Sequence, residues 1–85
     1  MTVFDVMTPE TVHMYAIRMR HPYSSVIGDV VYGIQYAICG NKNIERYVDG
    51  ATADEVMVFT CTKLQYETFK ETVERLYPGA CKYDE

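Results

Sequence analysis

The segment from Thr62 to Gly79 constrains this chain more than any other. Thr62-Lys63-Leu64-Gln65 is a capping box: the threonine hydroxyl can accept from the N3 amide while the Gln65 side chain reaches back to the cap. Behind it Tyr66, Phe69, Val73, Leu76 and Tyr77 recur at helical spacing, and Pro78-Gly79 ends the run. A helix with one apolar stripe must bury that stripe against another element. The residues just upstream, Glu55 to Cys61, contain Val-Met-Val-Phe and read as a strand. A strand running straight into an amphipathic helix points to the α+β class. With 85 residues there is room for one core, so the expectation is a single compact domain over 1–85.

The middle of the chain reads most simply as further strands. Over Val30 to Cys39, Tyr32, Ile34, Tyr36 and Ile38 alternate with Val31, Gly33, Gln35 and Ala37, a period of two. A helical rival puts Val26, Ile27, Val30, Val31, Ile34, Ala37 and Ile38 on one face, but it must carry Gly28, Gly33 and many β-branched residues. Gly40-Asn41 suits a two-residue hairpin turn into a strand over Lys42 to Val48, and Asp49-Gly50 opens the next turn. That hairpin sets Ile38 opposite Asn43, Tyr36 opposite Glu45 and Ile34 opposite Tyr47. Pairing Val48 with Val56 then gathers Tyr32, Ile34, Tyr36, Tyr47, Met57 and Phe59 on one bulky face. A lighter face carries Gln35, Ala37, Ile44, Arg46, Val48, Val56 and Val58.

Thr8-Pro9-Glu10 looks like a helix start, and Val12, Tyr15, Ala16 and Met19 extend it to Arg20, where His21-Pro22 stops it. The same stretch also reads as a strand, because His13, Tyr15, Ile17 and Met19 alternate with Val12, Met14, Ala16 and Arg18. Ala80 to Asp84 and Thr2 to Val6 are candidate edge strands. The preferred architecture is a three-stranded antiparallel meander, extendable to four strands, packed on one face by two helices. The competing one is ferredoxin-like βαββαβ, with a strand at Val12 to Met19, a helix at Ser25 to Cys39, strands around Ile44 and Val56, the last helix and a final strand.

Charge narrows the function classes. Eight Lys and Arg against 12 Asp and Glu leave a net charge of −4, without the basic stripe that phosphate recognition draws on. Direct nucleic-acid binding is disfavoured, although the three-stranded sheet followed by a capped helix resembles, in topology, the sheet-reading DNA-binding domains of phage-type integrases and the double-stranded RNA-binding domain. The strand EVMVFTC also lacks the basic residue and glycines of an RNP1 pattern. Cys39, Cys61 and Cys81 lie about twenty residues apart with no CxxC, so they predict buried free thiols, no zinc site and no disulfide framework. No leader-like start or membrane-length apolar run is visible in the sequence, and a cytoplasmic location is the expectation.

Catalytic patterns are sparse. His13 and His21 are the only imidazoles, and neither sits in a motif with a nucleophile. Asp54 and Glu55 are adjacent and point to opposite sides of a strand, while Glu67, Glu71 and Glu74 share a helix surface with lysines in reach. The glycines form no phosphate loop, and no acidic run suits calcium. The reading is therefore a non-enzyme without cofactor or metal.

What remains is recognition of another protein. Eight tyrosines supply large, stiff contact area with polar tips. An unpaired edge strand offers a route to a homodimer, and no membrane contact is expected. The expected function is a small protein-binding inhibitor or adaptor. A phage or mobile-element product acting on nucleic-acid-handling machinery, as anti-CRISPR proteins do, is the nearest analogy. The alternatives are a sheet-based nucleic-acid-binding domain and a small ligand-binding protein or enzyme. Candidate protein-binding residues are Gln35, Arg46, Val48 and Val58 on the lighter face and Asp54, Glu55, Glu67, Glu71 and Glu74 as an acidic set.

Overall fold

The structure, a computed structural model, describes residues 11–40 and 44–83. The expected strand at Thr2 to Val6, the cap at Thr8-Pro9-Glu10 and the Asn41-Lys42 part of the first hairpin lie outside the described residues. In chain order the elements are β1 (Val12–Met19), α1 (Tyr23–Cys39), β2 (Glu45–Val48), β3 (Glu55–Thr62), α2 (Lys63–Leu76) and β4 (Cys81–Tyr83). The four strands form one antiparallel sheet in the order β2-β3-β1-β4. The α+β class holds, and this order is compatible with the ferredoxin-like alternative.

Two elements of the preferred meander are overturned. Val12 to Met19 is a strand, paired along its whole length with β3 from Val12 opposite Thr62 to Met19 opposite Glu55. The alternation of the stretch won over its helical spacing because Tyr15, Ile17 and Met19 meet the core while Val12 and Met14 stay exposed. Val30 to Cys39 is the second half of α1, so no strand precedes Gly40 to form the first arm of the expected hairpin. Gly40, at φ 80°, instead caps the helix, its amide donating to Tyr36 O. His21-Pro22 precedes a helix where it was expected to end one.

The helix tolerates Gly28 because no side chain fits there: a Cβ would lie 2.5 Å from Glu55 Oε1. Its buried stripe is Ile27, Val31 and Gln35, with Ile34 and Ile38 half-buried beside it. Val26 and Val30, expected on that stripe, are exposed.

The β2-β3 hairpin differs from its expected register by one residue. Asp49 N donates to Asp54 O at 2.8 Å, and Ala53, at φ 64°, closes a loop whose flanks pair Val48 with Glu55 and Tyr47 with Val56. A one-residue slip turns every side chain of the strand to the other face. Tyr47 accordingly leaves the bulky side, whereas Met57 and Phe59 stay there as expected.

α2 starts as its capping box predicts, with Gln65 N donating to Thr62 Oγ1 at 3.1 Å and Thr62 N donating to Gln65 Oε1 at 2.9 Å. The core lies between the helices and one face of the sheet and contains Ile17, Met19, Ile27, Val31, Met57, Phe59, Phe69 and Val73. Phe59 meets Phe69 edge-on, and Tyr15 stacks on Tyr66 with centroids 3.8 Å apart. The expected edge strand near Ala80 is present as β4.

Candidate functional site

Strand alternation divides the sheet residues cleanly. Glu55, Met57, Phe59 and Cys61 of β3 are all buried on the helix side, and their partners His13, Tyr15, Ile17 and Met19 share that side. The opposite face carries Val12, Met14, Ala16 and Arg18 of β1, Val56, Val58 and Thr60 of β3, Glu45 and Tyr47 of β2, and Lys82 of β4. No described helix covers it. Met14 is 72% exposed, Val12 58% and Tyr47 53%. Ala16, Arg18, Tyr47, Val56 and Lys82 line a shallow hollow at one end.

The guanidinium on this face is paired within the chain. Arg18 donates to Asp49 Oδ2 at 3.1 Å and to Asp54 Oδ2 at 3.3 Å. Asp54 Oδ1 also accepts from the His21 amide at 2.8 Å, and Asp49 Oδ1 from that of Ala51 at 2.8 Å. Those backbone donors, followed by the guanidinium, hold both carboxyls below the ordinary aspartate value. The cluster fastens the hairpin turn to the end of β1 and leaves Arg18 little free charge.

The candidate residues from the sequence are scattered by the fold. Gln35 is not on a sheet face: it is fully buried in α1, its Nε2 donating to Gly40 O at 2.9 Å. Arg46 and Val48 belong to β2 but face the helix side. Arg46 Nε donates to Glu55 Oε2 and its Nη2 to Asp29 at 3.1 Å, with the guanidinium 4.8 Å from the Tyr32 ring centre. Val58 alone of that set lies on the open face, half-buried.

Of the acidic set, Asp54 and Glu55 are consumed by Arg18 and Arg46. Glu67, Glu71 and Glu74 are on α2, where Glu71 meets Arg75 at 3.1 Å and Glu74 accepts from the Gly79 amide at 3.1 Å. The open face that the structure offers instead was visible in the alternation Val12, Met14, Ala16, Arg18, once that stretch is read as a strand.

A second hollow lies where the start of β1 meets α2, lined by His13, Tyr15, Lys63, Tyr66, Glu67 and Lys70. No serine or cysteine lines it to act as a nucleophile. Burial pushes the Cys39 thiol up to about 12 and Cys81 to about 11, away from thiolate chemistry. Among the described residues no group of three or more His, Cys, Asp or Glu could hold a metal ion, and no helix is long and apolar enough to cross a membrane. In comparisons with known proteins the chain matches no family model, no curated protein and no solved structure.

Proposed function

We propose that this chain is a small non-catalytic protein-binding module, an inhibitor or adaptor, that contacts its partner through the open face of the sheet. The observation carrying this reading is the uncovered row of apolar side chains, Val12, Met14, Ala16 and Val58, flanked by Tyr47. An exposed, contiguous apolar patch with polar residues at its rim is the surface that protein association buries.

Nucleic acid suits the same face poorly. Sheets that read single strands stack bases on aromatic side chains of their central strands. Here the central aromatics, Tyr15 and Phe59, point to the helices, leaving Tyr47 on an edge strand. Among the described strand residues, Arg18 and Lys82 bring positive charge to the open side, and Arg18 is held between two aspartates.

A benzophenone photo-crosslinker in place of Met14, compared with one in place of Leu76 on α2, tests the reading in lysate and in purified protein. Protein adducts formed at position 14 and not at 76 are expected. No protein adduct at position 14 under either condition would overturn it.

A further inference from the structure

We infer that Cys39 and Cys61 form a redox modification site, at which a low-molecular-weight disulfide of the glutathione type converts the two thiols into one disulfide within the folded chain. The fold brings them together from separate elements. Cys39 is the last residue of α1, and Cys61 stands one residue before the end of β3. Their thiols are in hydrogen-bonding contact, and Cys39 Sγ also reaches Gln65 O in the first turn of α2 at 3.8 Å. Both side chains pack into the same core.

Cys81 is set apart from this pair. It is level with Met19 of β1, which is in turn level with Glu55 of β3. Glu55 and Cys61 stand at opposite ends of that strand, so two strand spacings and six residues of rise put Cys81 about 20 Å from Cys61.

Access to the pair is asymmetric. Cys61 is 3% exposed, whereas Cys39 is half-buried and is the thiol that a reagent meets. The Cys39 thiolate attacks one sulfur of the small disulfide. That S–S bond breaks, a mixed disulfide forms on Cys39, and one small thiol leaves with the proton that Cys39 gave up. The Cys61 sulfur, already against Cys39, then attacks the Cys39 sulfur, and its proton goes to the second departing thiol. Two electrons pass from the protein pair to the reagent. Burial raises both protein thiols, so few are ionised at neutral pH and the first step is slow. The site therefore records sustained oxidant and passes over a brief pulse. The finished bond ties the end of α1 to the junction of β3 and α2.

Sequence spacing supplies the control. Cys61 lies 22 residues after Cys39 and 20 before Cys81, so loop closure in an unfolded chain favours neither pairing by more than about twofold. The full chain, dilute enough to keep oxidation within one molecule, is incubated overnight with oxidised glutathione at pH 8, with and without concentrated urea, then quenched with acid. Its links are mapped by non-reducing mass spectrometry. Without urea the Cys39 to Cys61 link should exceed the Cys61 to Cys81 link at least about tenfold, because only the first pair is in contact. In urea the two should be about equal. Cys61→Ser should stop at the glutathione mixed disulfide on Cys39, and the oxidised parent should unfold at a higher urea concentration than the reduced one.

The same link ratio with and without urea, thiols left unmodified in the folded chain, an oxidised chain less stable than the reduced one, or a parent that retains the mixed disulfide as fully as Cys61→Ser would overturn the inference. Circular dichroism checks that the variant is folded. The link ratio is read on the parent chain and decides the matter even where Cys61→Ser does not fold.

Discussion

Gly28 and Gly33 sit in the same helix and should answer to the same substitution with opposite signs. Alanine in place of glycine in a helix gains about 1 kcal/mol from the restricted unfolded chain and better helix propensity. Gly33 is exposed with nothing within 4 Å of its Cβ position, so Gly33→Ala should show that gain in full. At Gly28 the added methyl would lie 2.5 Å from Glu55 Oε1, well inside van der Waals contact. The carboxylate is not free to swing aside, because the residue is only 7% exposed and its other oxygen accepts from Arg46.

Displacing it weakens a charge-assisted hydrogen bond worth about 1.5–3 kcal/mol. Set against the propensity gain, Gly28→Ala should be destabilising by about 0.5–2 kcal/mol. Urea unfolding followed by circular dichroism measures both variants. The double-mutant cycle with Glu55→Ala isolates the cause: with the carboxylate gone, Gly28→Ala should become stabilising. A Gly28→Ala chain as stable as Gly33→Ala, or one whose deficit persists without Glu55, would refute the account.

Two further outcomes follow from the titratable groups. Asp49 and Asp54 have folded-state pKa values below the ordinary 3.8, so the stability they lend is present above that value and lost as pH falls through their folded-state range. Acid unfolding of Asp54→Asn should accordingly show a shallower dependence on pH below about 4 than that of the parent chain, and equal slopes would exclude the cluster as a source. The thiols should be slow toward a disulfide reagent at pH 8, with Cys61 and Cys81 reacting only as fast as the chain opens, since both are buried. Rapid, stoichiometric labelling of all the cysteines in the folded chain would contradict that burial.

Local chemistry made the C-terminal half legible. The capping box at Thr62, the apolar stripe through Tyr66, Phe69 and Val73, and the strand beginning at Glu55 are each fixed by near neighbours, and each stands where it was expected. The N-terminal half was ambiguous because Val12–Met19 and Val30 to Cys39 each satisfy both periods, and tertiary partners decided between them. β1 became a strand by pairing with β3, roughly forty residues away at the centre of that register. α1 overcame its β-branched residues by burying Ile27 and Val31, and its glycine at 28 fits because of a glutamate from another element.

The binding residues were misplaced for the same reason. Gln35 went into the core with α1, and the slip at Asp49 to Asp54 moved Arg46 and Val48 to the helix side. A one-residue difference in the length of a hairpin loop depends on turn geometry, including the positive φ of Ala53, that residue types alone do not specify.

The strand order also governs when the molecule can take shape. The two innermost strands are β1 and β3, and all of α1 and β2 separates them along the chain. A nascent chain emerging from a ribosome therefore carries β1 and α1 into solution with no strand for β1 to join until Glu55–Thr62 has cleared the exit. Of the described strand pairs, the β2-β3 hairpin alone joins neighbours in the sequence. Topologies dominated by such distant pairings gain little from their early contacts, so the described sheet should gather itself in one late step, once β3 is free to join β1.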